Sequence, residues 1–377
     1  TQFVESLMCA VLHGEHPAWP DADDPALVDA FLERSEYHGV QALLYERMHA
    51  DAADWPPALL DALHRQAITT TMWELRHQQV VAEVLATLAQ IGIEPVLFKG
   101  TALAYSLYPS PALRTRGDTD LIVPPQERTR AMDALAALGF ARTLELGELM
   151  SYQACLTREV AGGGGHTLDL HWKINNSELL SRLFSYDELR QAAVPLPGLS
   201  PHALGAGPVH ALLIACMHRA GHKQAPYYVD DIAYFSGDRL IWLYDIHLLA
   251  PALTRPQWSE FLALAGKKGL RAVCLEGIDQ AQTRFATPVP PEVIAELARP
   301  GPVEAAAEYL NARHLRRRWL DLCAHEGLPA KLRFVRELAF PPAEYMRERF
   351  PDAQPNWLPW LYVLRAIGGL RKRGDGH

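Results

Sequence analysis

The sequence holds little of the cysteine chemistry that staples small domains. Its 5 cysteines, Cys9, Cys155, Cys216, Cys274 and Cys323, are odd in number and scattered, with no Cys-x-x-Cys spacing. That argues against a disulfide framework or a thiolate zinc site and for reduced, mostly buried thiols. Long apolar runs are missing as well: none reaches the ~18 residues that a membrane helix requires. The first residues carry acids and no basic stretch leading into an apolar core, so no secretory leader is read. A cytoplasmic protein with no membrane partner is the expectation. Positive charge is also scarce, with 36 Lys and Arg against 44 Asp and Glu and a formal net charge of -8. Such a balance argues against an extended nucleic-acid surface, because phosphate neutralisation needs clustered cations, and favours a small-molecule or protein substrate.

What is present is ordinary globular material. The 377 residues are 49% hydrophobic and 21% charged, enough for two or three domains and a sizeable core. Helical spacing dominates residues 1–92. Phe3, Leu7, Val11 and Leu12 recur on one face, Pro25 to Glu36 and Val40 to Met48 follow, and Pro57 to Ile91 forms a long helix through Leu60, Leu63, Met72, Leu75, Val80, Val84 and Leu88, closed by Gly92. From 93 to 177 the pattern shortens. Glu94 to Phe98, Thr119 to Val123, Phe140 to Leu144, Tyr152 to Val160 and His166 to Lys173 read as strands, with helices at Thr101 to Tyr108 and Pro124 to Leu138. Gly162 to Gly165 reads as a hairpin connection, since it leads into a strand and lacks the Gly-Lys-Ser/Thr ending of a phosphate loop. Residues 178–377 return to helix, beginning with His202 to Ala220, and the tail from Arg371 reads as solvated. The fold class is therefore α+β, a small mixed sheet between two mainly helical regions.

Chemistry concentrates in two stretches. Leu97-Phe98-Lys99-Gly100-Thr101 ends an apolar strand in a Gly and a hydroxyl and opens a helix. Gly lets a backbone approach a phosphate, the helix start and Thr101 offer donors, and Lys99 adds charge. Downstream, Asp118-Thr119-Asp120 lies on a strand, where residues two apart share a face. Two ionised carboxylates on one face repel unless a cation sits between them, which suggests Mg2+, with Mn2+ as a substitute. Asp169, in Leu168-Asp169-Leu170-His171-Trp172, is placed to complete a three-carboxylate cage. Such a cage suits a two-metal displacement at phosphorus, in which ions roughly 3.5 to 4 Å apart clamp the attacking and leaving oxygens.

Strand, Gly-hydroxyl turn, short helix, Asp-x-Asp strand and a later strand Asp together resemble the DNA polymerase β-like nucleotidyltransferase superfamily. More narrowly, Leu97-Phe98-Lys99-Gly100, Tyr108-Pro109, Arg114, Asp118-x-Asp120-Leu121-Ile122-Val123 and Leu168-Asp169-Leu170-His171-Trp172 are similar to the bacterial uncharacterised nucleotidyltransferase family. The resemblance is strong over residues 90 to 175. It implies metal-dependent transfer of a nucleoside monophosphate from an NTP to a hydroxyl-type acceptor on a small molecule or protein, with release of pyrophosphate. Asp118, Asp120 and Asp169 would be metal ligands, with Asp169 alternatively the acceptor's general base, and Lys99, Gly100 and Thr101 would hold phosphate. The spacing from Gly100-Thr101 to Asp118 is longer than in the best-known members, and Thr stands where Ser is usual. Two other readings keep the same residues: a non-catalytic nucleotide-binding module, and a metal-dependent phosphohydrolase.

Arg114 and Arg116 have the fork that phosphate contacts use, although surface ion pairs use it equally. His171 shares a strand face with Asp169 and is expected to hydrogen-bond a neighbouring carboxylate. His218 and His222, four apart on a helix with Asp230 and Asp231 soon after, lack the His-Glu-x-x-His pattern of zinc enzymes. With Asp245 and His171 they are candidates for an acceptor pocket, and a core ion pair is the competing reading for Asp245.

Overall fold

The computed structural model describes residues 2–20, 24–143, 149–160, 164–223, 227–229, 232–234, 237–351, 353–354 and 357–365. Gly162, Gly163, Leu144, Asp230, Asp231 and the tail from Arg371 lie outside the described residues. The chain opens with α1 (Gln2–His13), α2 (Pro25–His38), α3 (Gln41–Met48) and α4 (Pro57–Gln90). Local chemistry sets these limits. Asp24 accepts hydrogen bonds from the Ala26 and Leu27 amides at the start of α2, and Gly39, at φ 68°, ends it in the left-handed region. One face of α4 departs from expectation: Met72 and Leu75 are 49% and 55% exposed, while Glu74 and His77 are buried. Polar partners brought by the next segment decide that face.

The central unit follows as β1 (Val96–Phe98), α5 (Gly100–Ser106), β2 (Asp118–Ile122), α6 (Arg128–Ala137), β3 (Ala141–Arg142), β4 (Gln153–Val160) and β5 (Gly164–His171). After α7 (Glu178–Ser181) and α8 (Tyr186–Gln191), the chain returns to the sheet with β6 (Val194–Pro195) and β7 (Leu204–Gly205). The strand order is β3-β4-β5-β2-β1-β7-β6. β1 and β2 are antiparallel, β2 and β5 parallel, and β4 and β5 an antiparallel hairpin. Two of the strands thus come from the stretch read as helical. The expected helix from His202 starts instead at Pro208, because Leu204 and Gly205 are drawn into pairing with β6 and β1 and Pro208 suits a first helical turn; Gly207 between them passes where a Cβ would stand 2.2 Å from the Ala192 carbonyl.

Beyond β7 come α9 (Pro208–His222), the hairpin β8 (Tyr227–Val229) and β9 (Ile232–Tyr234), α10 (Leu240–Ala252), α11 (Arg255–Lys268), α12 (Arg271–Phe285), α13 (Pro291–Leu297), α14 (Ala305–Asn311), α15 (His314–Ala324), α16 (Gly327–Ala339) and α17 (Ala343–Arg349). The sheet separates two apolar clusters. Leu97, Leu121, Leu168 and Leu170 pack with Val80, Val84 and Leu88 of α4 and Leu135 of α6. Val96, Phe98 and Ile122 join α9, α10 and α12 on the other face. All five cysteines are unpaired. No helix among the described residues is long and apolar enough to cross a membrane.

Candidate functional site

The pleat of the two central parallel strands assembles the carboxylates. Asp120 stands opposite Phe98 of β1 and in register with Asp169 of β5, and Asp118 is in register with Thr167. Alternation turns Asp118, Asp120, Asp169 and His171 to the α9 and α10 side and Thr119 to the α4 side. Asp120 Oδ1 accepts from Lys99 Nζ at 2.5 Å and from His171 Nε2 at 2.9 Å. Asp169 Oδ2 accepts from Gln153 Nε2 at 2.7 Å, which orients it from β4. One ligand atom each from Asp120, Asp169 and His171 falls within 4.8 Å of the others, and Asp118 lies outside that trio.

Electrostatics mark the cluster as short of positive charge. Burial and then the charges of Asp120 and Asp169 push the Asp118 carboxyl up to about 7. Burial and the Asp120 charge also raise Asp169. Asp120 moves the other way: burial opposes ionisation, but Lys99 and His171 together hold it below the ordinary carboxylate range. Burial alone would lower the Lys99 ammonium, and the three aspartates outweigh it to leave the group raised. The carboxylates of Asp120 and Asp169, with the His171 ring in the same trio and Asp118 on the same strand face, form a donor set that fits a divalent cation of the Mg2+ or Mn2+ type.

The turn before the site is strained. Lys99 adopts φ 59°, ψ -138°, a conformation that costs a non-glycine residue of order 1–3 kcal/mol and recurs where a side chain must be aimed. Gly100 has a definite reason: a Cβ there would meet Arg116 Cδ at 3.3 Å. The remaining phosphate contacts expected from sequence are spent inside the protein. Thr101 is fully buried, its Oγ1 sharing a hydrogen bond with Thr119 Oγ1 at 2.7 Å and accepting from Arg116 Nε at 2.9 Å. Arg116 Nη2 donates to Glu74 of α4 at 2.9 Å. Arg114 grips Asp245 of α10 with two bonds of 2.8 and 2.7 Å, and Tyr108 donates to the same carboxylate at 2.8 Å. Thr101, Arg114 and Arg116, expected from sequence to meet a nucleotide, and Asp245, expected to line an acceptor pocket, are thus each engaged by groups of the protein itself. A buried guanidinium requires a carboxylate, and these two have found theirs.

His218 and His222 do reach the site's field. Their rings lie 4.5 Å apart and each is 5.5 Å from Trp242. Burial, then each other and Lys99, hold His218 well below the usual imidazole range, and burial followed by Lys99 takes His222 to about 4. A cavity of about 10 Å3, room for one water, lies among Lys99, Arg114, His218, Trp242 and Asp245. His222 Nδ1 is buried without a partner among the described residues.

A family model described as "Uncharacterised nucleotidyltransferase" matches residues 24–286. The chain belongs to this family. Among curated proteins none matches it. Of solved structures, it is similar to an antigenic nucleotidyltransferase-like protein from Paracoccidioides brasiliensis at 14% identity and a TM-score of 0.35, over 58% of this chain and 95% of that one.

Behind the carboxylates, this nucleotidyltransferase family member carries a polar chain that the sequence reading missed. His77 Nε2 shares a 2.6 Å hydrogen bond with Thr119 Oγ1, and His77 Nδ1 meets His166 Nδ1 at 3.1 Å. Trp73 stacks on His77 at 4.2 Å. Burial, then Arg116 and His166, lower His77 to about 2, and burial lowers His166 as well; between the two Nδ1 atoms one donates and the other accepts. The signal was there: Glu74 and His77, three apart, interrupt the apolar face of α4 just before Val80, Val81 and Val84.

Proposed function

We propose that the chain is a metal-dependent nucleotidyltransferase of the DNA polymerase β-like kind, moving a nucleoside monophosphate from an NTP onto a hydroxyl-type acceptor and releasing pyrophosphate. The observation that carries the reading is the register of Asp120 with Asp169 across β2 and β5, with Asp118 on the same face. Asp118, Asp120 and Asp169 would hold Mg2+ or Mn2+, and the ion would supply charge neutralisation at the triphosphate and a lowered pKa for the acceptor hydroxyl. The chain's own residues supply the rest. Lys99, aimed by its strained turn, exchanges Asp120 for a phosphate oxygen when the nucleotide arrives. Gln153 fixes the Asp169 carboxylate, whose raised pKa suits a group that takes the acceptor's proton. The wall of His218, His222 and Trp242 faces the acceptor.

The Lys99–Asp120 ion pair favours a second reading, nucleotide binding without transfer, because an internal ammonium already answers the most acidic carboxylate. Calorimetry with each Mg-NTP, on wild type and on Asp118→Ala/Asp120→Ala, together with pyrophosphate release in the presence of a cell extract as acceptor pool, separates them. Metal-dependent binding with pyrophosphate release and an acceptor heavier by one nucleotide supports transfer. Binding without pyrophosphate supports the second reading, and free NMP or phosphate with no acceptor adduct supports hydrolysis.

A further inference from the structure

The C-terminal helices are turned inside out. Of the 13 large hydrophobic side chains exposed among the described residues, eight, Leu315, Trp319, Leu328, Leu332, Val335, Phe340, Trp357 and Val363, fall within the last 65 residues of the sequence. On α16, Leu328, Leu332 and Val335 follow i, i+4, i+7 spacing and so occupy one arc of about 60° at 100° per residue. Leu328 and Leu332 are 68% and 61% exposed, whereas Phe334 on the opposite side is buried. Lys331 borders that arc on one side and the exposed Arg336 on the other. α15 repeats the arrangement. Leu315 and the 55% exposed Trp319 form the outward stripe, Arg318 and Arg316 flank it, and Asp321 is buried behind.

Charge sorts with the same segment. Residues 313–377 contain 13 Lys and Arg against 7 Asp and Glu, a surplus of 6, so the rest of the chain carries a deficit of 14. An apolar stripe bordered on both sides by long cationic side chains is the geometry of a helix lying in a lipid headgroup layer, where the stripe enters the acyl boundary and the cations reach back to phosphates and carboxylates. A second copy of the same face would set arginine against arginine. The acidic remainder of the molecule would be repelled by an anionic bilayer, which would leave this face as the one that docks.

We propose that α15 and α16 form a docking surface for anionic lipid bilayers, with the protein bound at the interface and not spanning it. The sequence expectation of no membrane partner rested on run length, which speaks only to spanning helices.

Sedimentation of the full chain with sucrose-loaded vesicles tests the proposal. The vesicles are neutral phosphatidylcholine, or phosphatidylcholine mixed with phosphatidylserine, at low and high salt. The chain should pellet with the anionic vesicles at low salt, be released by high salt, and stay in solution with neutral ones. Leu332→Asp and the double change Lys331→Glu/Arg336→Glu should each lower partitioning about tenfold or more. Trp319→Ser on the other helix repeats the test independently, and an unchanged thermal melt shows that each variant is folded. Failure of the wild type to bind anionic vesicles at low salt, or equal binding to neutral ones, overturns the proposal. So does a concentration-dependent dimer in light scattering that Leu332→Asp dissolves, since a second copy would then cover the face.

Discussion

On one oxygen of Asp120 converge an ammonium and an imidazole, and the behaviour of the site turns on which of them yields. Lys99→Met removes the internal counter-ion. Affinity for Mn2+ alone should rise, while affinity for an NTP falls about tenfold for want of a phosphate contact. Calorimetry of each ligand separately reads both, and parallel losses of the two would show Lys99 acting only on structure. Asp245 has a different fate. Its carboxylate accepts from Arg114 and Tyr108 at the junction of β2's approach with α10, wholly buried. Asp245→Ala strands a guanidinium and should cost about 3–5 kcal/mol of stability in denaturant unfolding, a loss expected without any nucleotide present.

Among the elements, β2 is tied down on its α4 side by a polar chain. Thr119 ties it through His77 and His166 to α4 and β5, and through Thr101 to the turn that aims Lys99. Thr119→Val keeps the shape and leaves two buried groups short of a partner, so stability should fall by about 1–3 kcal/mol. Metal affinity should weaken with it as Asp118 and Asp120 lose their register, and a variant with wild-type Mn2+ binding would refute a positioning role for this chain of hydroxyls and rings. Much of this element was legible in advance. The spacing of two between aspartates, and Asp169 flanked by apolar residues, gave the strands and their common face. What could not be read was who partners whom. Arg114 and Arg116 have the same chemistry whether they meet a phosphate or a carboxylate, and their carboxylates, Asp245 and Glu74, sit 131 and 42 positions away in the chain. β6 and β7 escaped because two-residue strands carry no alternation to detect, and Met72 and Leu75 were misplaced because a polar network claimed the face of α4 that hydrophobicity would have given them.

At the scale of the whole molecule, a second buried carboxylate joins the sheet to the helical half. Glu178 of α7 accepts from Tyr152 at the edge of β4, from Lys173 and from Arg182. Burial opposes its ionisation, yet these three donors hold it down at about 2. A carboxylate depressed in the folded state contributes stability that is present above its unfolded value of about 4.5 and lost as pH falls toward 2. Glu178→Gln should therefore lower the melting temperature at pH 7, and the gap from wild type should close on acidification through that window. A gap that stays constant down to pH 2 would contradict the assignment.

The return of the chain to the sheet after α8 bears on how this protein can be taken apart. β1 lies between β2 and β7, so its backbone has neighbours on both sides and Val96, Leu97 and Phe98 are fully covered. A fragment cut after residue 177 would keep Asp118, Asp120 and Asp169 and still bare one edge of that apolar strand, a template for pairing with another chain. Such a fragment should precipitate on expression, and one carried only past Gly205 would pair that edge yet still bare the face of Val96, Phe98 and Ile122 that α9, α10 and α12 cover. The shortest workable piece of this chain therefore includes both a two-residue strand with no chemistry of its own and the helices that follow it.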